Sequence, residues 1–323
     1  MLSPRFMLAT SLLSLLAVPA MAEDLRIGWQ QIVEPARYAQ AQGEYEKATG
    51  ANIEWKLFSG GADTIAAITS GSIDIGYVGS SPLTAAASQQ VPIEAIYIVG
   101  NIASAEALAV KGITSPDQLK GKKIATPFVS TAHYSLLTAL KHWGIAPNDV
   151  NLLNLRPQEI GAAWERGDID GAYIWDPVLN QIKTTGGTVL ADSKDVADWG
   201  GPTFDTWIVR KDYAEKHPDI VTAFVKTTGQ TTDAYLADPE GWSKTAAPDI
   251  ARLTGAPEAD VPALLQGYVF AGLKDQTSPE FLGGATEKAL KATAGFLQDQ
   301  GSATALDDYT PYVNATFAEA AQK

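Results

Sequence analysis

Residues 66–83 read AAITSGSIDIGYVGSSPL, and residues 162–179 read AAWERGDIDGAYIWDPVL. At an offset of 96, Ala66, Ala67, Gly71, Ile73, Asp74, Tyr77 and Leu83 meet identical residues. Each stretch runs from the end of a helical pattern through a glycine into a short apolar run. Each then reaches a Ser-Ser-Pro or Trp-Asp-Pro junction that suits a new helix start. The echo predicts two α/β lobes of similar build, with helix, glycine, strand, loop and helix at the same place in both.

The flanking sequence extends the same programme. Around the first copy, patterning predicts a strand at 25–29, a helix at 35–49 stopped by Gly50, and a strand at 51–58. A helix at 63–70, a strand at 73–78 and a helix opening near Ser81-Pro82 follow. Around the second copy the series is strand 123–126, helix 131–143 closed by Gly144, strand 150–155, helix 157–166 and strand 169–174. This β-α-β-α order predicts mainly parallel sheets with helices on both faces. Two further runs, 106–111 and 205–210, each read acid, apolar stretch, then base. They are expected to carry the chain out of the first lobe and back again. Lobe one is then 23–106 with 211–323, and lobe two is 107–210. Past Arg210 the pattern is helical, at 218–236, 248–254, 261–268 and 286–298.

The first 22 residues stand apart. Arg5 is their only charge, 6–18 is almost wholly apolar, and Ala20-Met21-Ala22 has the small-x-small pattern of a signal-peptidase site. An apolar core of about 13 residues is too short for the roughly 20 that a spanning helix needs. Residues 1–22 are therefore read as a cleaved secretory signal, and the remaining chain as an exported protein.

Composition narrows the function. With 24 Lys+Arg against 37 Asp+Glu and a formal charge of −13, there is no basic surplus to neutralise nucleic-acid phosphates. The absence of cysteine removes disulfides, Cys-ligated metals, a thiol nucleophile and a lipid anchor on a post-leader cysteine. The three histidines, His133, His142 and His217, are scattered, so no metal site is expected. No Gly-x-Ser-x-Gly elbow, His-Glu-x-x-His or Walker A loop occurs, and Ser130 with His133 lacks a visible orienting acid. The reading is of a binder without cofactor, not an enzyme.

In open α/β sheets ligands bind beyond the carboxyl ends of the strands, where loops feed helix N-termini. Three junctions have that placement: 79–82 with Ser80 and Ser81, 127–133 with Ser130 and Thr131, and 175–177 with Trp175. Helix starts with hydroxyls suit a small oxyanion. Glu34, in the loop after the first strand, is a solvated helix-start charge or a cation contact.

The run Gly79-Ser-Ser-Pro-Leu-x-x-Ala-Ala-Ser-Gln-Gln-Val-Pro-Ile-Glu94 resembles the periplasmic taurine-binding proteins of sulfonate ABC importers, within the aliphatic sulfonate substrate-binding family. So do Pro127-Phe-x-Ser-Thr-x-His-Tyr-Ser-Leu-Leu, Ala139-Leu-Lys-His-Trp-Gly-Ile145, Arg166-Gly-Asp-Ile-Asp-Gly-Ala-Tyr173 and Trp207-Ile-Val-Arg-Lys-Asp212. The likeness runs in order along nearly the whole chain and is weakest in the leader and after about residue 240. It implies a type II periplasmic binding fold, two lobes joined by two hinge crossovers, that closes on taurine or a similar small aminosulfonate. It also implies a membrane permease as partner and a freely diffusing monomer. On that basis Ser80, Ser81, Ser130, Thr131, His133 and Gln30 are expected at the sulfonate. Asp205, ahead of Glu34 and the weaker candidate Glu106, is expected at the ammonium, with Trp175 as an aromatic wall. The chain departs from the family's pattern at Asp176, where a small residue is usual. That acid either faces solvent or stands beside the ligand.

Overall fold

A computed structural model of the chain describes residues 23–299, 301 and 303–323, so the expected leader lies outside the described residues. The chain opens with β1 (Asp24–Trp29), α1 (Ala36–Ala41), α2 (Glu44–Thr49), β2 (Asn52–Leu57), α3 (Gly61–Thr69), β3 (Ile75–Gly79), α4 (Ser80–Ser88) and β4 (Ile93–Ile102). It crosses into β5 (Glu106–Val110), β6 (Lys123–Thr126), α5 (Thr131–His142), β7 (Asn151–Asn154), α6 (Pro157–Arg166), β8 (Gly171–Trp175), α7 (Val178–Thr184), β9 (Thr188–Asp192) and α8 (Ser193–Asp198). It returns through β10 (Phe204–Arg210), α9 (Lys211–Lys216), α10 (Pro218–Ala237), α11 (Pro239–Thr254), α12 (Val261–Leu265), β11 (Tyr268–Phe270), α13 (Ala285–Asp299) and α14 (Thr316–Ala321).

Two sheets result, ordered β11-β4-β10-β3-β1-β2 and β9-β5-β8-β6-β7. Apart from β11 the orders correspond strand for strand. β1 is parallel to β2 and β3, as β6 is to β7 and β8, while β10 and β5 run antiparallel beside β3 and β8. The sequence echo is visible in individual bonds. Gly71 and Gly167 both take positive φ, at 72° and 74°, to end their helices. The Asp74 carboxylate then accepts the Arg26 backbone N–H on β1 at 3.0 Å. The Asp170 carboxylate accepts the Lys123 backbone N–H on β6 at 2.8 Å. The same residues recur because the same junction must be closed twice.

The expected lobe-two boundary at 210 falls on the wrong side of a strand. β10 pairs along its length with β3 and β4 of the first sheet, and β5 pairs with β8 and β9 of the second. Its residues are buried on both faces as far as Val209, which suits an interior strand and not a hinge. The crossing segments are the short stretches 103–105 and 199–203. Two helices also differ from expectation. The helix expected at 35–49 is two, broken where Gly43 turns left-handed at φ 64°. The helix expected at 248–254 begins at Pro239, with the Asp238 carboxylate accepting Gly241 N–H, and Pro248 lies inside it. The stretch expected as a helix at 261–268 ends at Leu265 and gives way to β11.

The lobes are closed on each other. Gln158 Nε2 of lobe two donates to Gln31 Oε1 of lobe one at 2.9 Å. Asn180 Nδ2 donates to Asp260 Oδ2 at 2.8 Å. Tyr134 on α5 packs its ring edge-on against Phe296 on α13, with centroids 4.8 Å apart.

Candidate functional site

Between the carboxyl ends of the two sheets lies a narrow cavity lined from both lobes. Lobe one lines it with Gln30, Gly61, Tyr77, Gly79, Asp205 and Tyr268, together with Ile32 and Pro82. Lobe two supplies Glu106, Ser130, Thr131 and Trp175. No lysine, arginine or histidine is among these lining residues.

One part of the wall is acidic. Asp205 Oδ2 accepts the hydroxyls of Tyr268 at 2.8 Å and Tyr77 at 3.0 Å. Burial nonetheless pushes its carboxyl up to about 7, against the pull of those two bonds. Glu106 Oε2 accepts the Thr131 hydroxyl at 2.6 Å, and Oε1 accepts Ser193 at 2.8 Å. It too is pushed up to about 7, first by burial and further by the nearby Asp205 charge. Two acids held this way are short of a cation.

Another part is made of helix starts. Gly61 opens α3, Gly79 and Pro82 flank the start of α4, and Ser130 and Thr131 open α5. Neither α3 nor α4 has a side-chain cap on its first N–H groups. The Ser130 hydroxyl accepts His133 N–H at 3.1 Å and donates to Pro127 O at 2.6 Å. Three convergent N-termini give a positive field with no cationic side chain.

Of the residues picked out in the sequence, Gln30, Ser130, Thr131, Trp175 and Asp205 line the cavity, and so does the weaker candidate Glu106. Ser80 and Ser81 are buried beside it, but their hydroxyls do not line it. Ser80 Oγ accepts Phe204 N–H at 3.4 Å, and Ser81 Oγ is buried with no partner among the described atoms. The start of α4 thus meets the cavity through Gly79 and Pro82. His133 stacks on Phe128 at 4.4 Å, and burial lowers its imidazole to about 4, so it is a neutral packing group. Tyr77 and Tyr268 were not assigned a site role from sequence. Tyr77 carried a signal, its recurrence as Tyr173 in the echo, whereas Tyr268 arrives from β11 with none.

Glu34 points elsewhere. One helical turn separates it from Arg37, and the two form a fully buried ion pair at 2.6 Å. The guanidinium lies over the rings of Trp29 and Trp207, at 5.2 and 5.4 Å. Glu34 is therefore the counter-ion of a buried arginine and is absent from the cavity wall. Arg37→Met leaves that carboxylate unpaired in the core, and we expect a loss of about 3–5 kcal/mol in urea unfolding. A loss below about 1 kcal/mol would show that the pair contributes little.

The substrate-binding-domain family of ABC-type glycine betaine transport systems matches residues 23–252. A taurine-binding periplasmic protein of Escherichia coli K12 is 46% identical over 313 residues, covering 95% of this chain and 96% of its own. The chain belongs to this family of transporter substrate-binding proteins. Among solved structures, the alkanesulfonate-binding protein of Xanthomonas axonopodis pv. citri, bound to MOPS, is 25% identical with TM-score 0.74. The match covers 92% of this chain and 99% of that one. A desulfurization enzyme shares the fold at TM-score 0.65 and 15% identity, over 93% of this chain and 99% of its own. The architecture is the type II periplasmic binding fold.

In this substrate-binding protein Asp176 follows Trp175 but does not line the cavity. Its carboxylate accepts Asn180 N–H at 2.9 Å in the first turn of α7, and burial pushes it up to about 7. Asp176 therefore neither faces solvent nor stands in the cavity wall, and instead bonds the first turn of α7 near the Asn180–Asp260 contact between the lobes. The cavity continues outward past Gly61 and Ser130 to Phe128, Asn154 and Arg156, which gives it a polar mouth.

Proposed function

We propose that the chain is the periplasmic solute-binding component of an ABC importer. In this reading it captures taurine, or a close aminosulfonate, between its lobes and delivers it to a membrane permease as a monomer. The observation that carries the reading is the cavity's division of charge: buried carboxylates without a cation on one side, helix N-termini on the other. Taurine is a two-carbon zwitterion whose ammonium suits Asp205 and whose sulfonate suits the N–H groups of α3, α4 and α5. Trp175 offers a face to the methylenes or the ammonium. The 46% identical relative supports the same ligand, and its periplasmic name agrees with the leader read at 1–22. In this reading the ligand is held and released unchanged, in keeping with relatives that are named as binding proteins of transporters.

Calorimetric titration of the purified chain with taurine tests this. Much tighter binding of taurine than of an alkanesulfonate lacking the amine is the expected result, and the reverse order overturns the ligand assignment. The pH dependence has a definite sign. An ammonium favours the ionised carboxyl, so taurine affinity falls as pH drops below about 7. Binding at neutral pH releases protons, read as a heat that changes with the ionisation enthalpy of the buffer. Affinity flat between about pH 5 and 8 would remove Asp205 from the ammonium site.

A further inference from the structure

The two cavity carboxylates occupy equivalent positions in the two lobes. Asp205 faces Gly79 in the β10–β3 register, and Glu106 faces Trp175 in the β5–β8 register. Gly79 and Trp175 are separated by 96 residues, the offset of the sequence echo. Both acids thus stand on the antiparallel strand beside the third parallel strand of their sheet, and both reach the same cavity. One belongs to each lobe, so closing the cleft brings two like charges together.

No cationic side chain stands among the cavity's lining residues to offset that charge, and the acids' partners are hydroxyls. Asp205 faces the Tyr77 hydroxyl from β3, the Tyr268 hydroxyl from β11, and the Glu34 charge. Glu106 faces Thr131 and Ser135 on α5, Ser193 on α8, and the Tyr173 hydroxyl on β8. Arg37 is committed to Glu34. The hydroxyls on Glu106 occupy about three of the roughly four acceptor positions of a carboxylate, and those on Asp205 fall on Oδ2 alone. Each acid keeps capacity for one more donor.

We propose that Glu106 is a second specificity determinant, and that an ammonium shared between Asp205 of one lobe and Glu106 of the other is what permits closure. This rests on the aminosulfonate reading above. A cation placed between two like charges in a low-dielectric site turns their repulsion into attraction to a common centre. A sulfonate without an amine satisfies the helix N-termini but leaves the acids opposed, so it is rejected at the closing step.

The experiment titrates the unmodified chain, Glu106→Gln, Asp205→Asn and the double variant with taurine and with isethionate, which carries a hydroxyl in place of the amine. Small-angle scattering reads closure in the same samples. At about pH 8.5, above the carboxyls' about 7, taurine compacts the unmodified chain and isethionate does not. In E106Q the taurine-over-isethionate preference falls at least about tenfold, and isethionate now closes the lobes. D205N keeps a residual preference that the double variant loses. An E106Q preference equal to that of the unmodified chain overturns the proposal. The unmodified chain supplies a second measurement that needs no variant. At about pH 5.5, where both acids take up protons, isethionate compacts it as well. Compaction by isethionate at both pH values, or at neither, overturns the closure mechanism. Failure of the unmodified chain to bind taurine at all overturns the aminosulfonate reading instead.

Discussion

Asp205→Asn is expected to weaken taurine binding by about a hundredfold or more, while an amine-free sulfonate binds no worse than before. The amide keeps the shape of the carboxylate and an oxygen to accept the Tyr77 and Tyr268 hydroxyls, which now hold Oδ2. What disappears is the charge that faces the ammonium. Paired titrations by calorimetry check this, and equal losses for both ligands would sink the assignment. The same substitution carries an opposite effect on stability. Asp205's carboxyl is raised from 3.8 to about 7 in the folded chain, so its cost is absent below about pH 4 and complete above about 7. The ligand-free chain therefore loses stability as pH rises through that window, and D205N removes the loss. At pH 8 the variant is expected to unfold at higher denaturant by about 2–4 kcal/mol, a gain that should vanish near pH 4.

Gly79→Ala is expected to leave lobe one folded and to hold the cleft open. An added methyl would lie 2.5 Å from Thr131 Cγ2 of the other lobe and 3.2 Å from Asp205 Oδ1. The backbone at Gly79 is extended, φ −82° and ψ 167°, so alanine meets no conformational penalty there. The severe clash exists only when the lobes meet. Overpacking of about 1–3 kcal/mol then falls on the closed state alone, lowering taurine affinity by about 5- to 150-fold with little change in melting temperature. Thr131→Ser removes the opposing methyl yet keeps the hydroxyl that bonds Glu106. Adding it to G79A should recover most of the affinity. Unaltered binding by G79A, or no recovery in the double variant, would show that this contact does not limit closure.

The fold was legible because the sequence states it twice. The glycine, the aspartate three residues on and the strand that follows serve the same hydrogen bonds in each lobe, so Gly71 with Asp74 and Gly167 with Asp170 could be matched without coordinates. The cavity was legible in part: position at strand ends picked out Ser130, Thr131 and Trp175, and the family resemblance added Gln30 and Asp205. What failed to show depends on tertiary partners. The partner of Glu34 is one turn away, but its burial beneath Trp207 is decided by a strand some 170 residues on. Whether Ser80 turns its hydroxyl or its backbone to the ligand depends on the rotation of α4, which the pattern of small residues leaves open. Tyr268 sits on a three-residue strand, too short for any periodicity to announce.

The position of β10 also bears on how the molecule assembles. It lies between β3 and β4, so the first sheet stays split until a strand beginning 102 residues after the end of β4 arrives to join its halves. Strands β5 to β9 of the second sheet, by contrast, all fall within one continuous stretch of chain. Local pairings form before distant ones because less loop entropy must be surrendered. The second lobe can therefore fold as a unit while β3 and β4 wait with open edges, and those edges are the surfaces most prone to wrong partners. The cavity requires both lobes, so it is the last part of the chain to come into being.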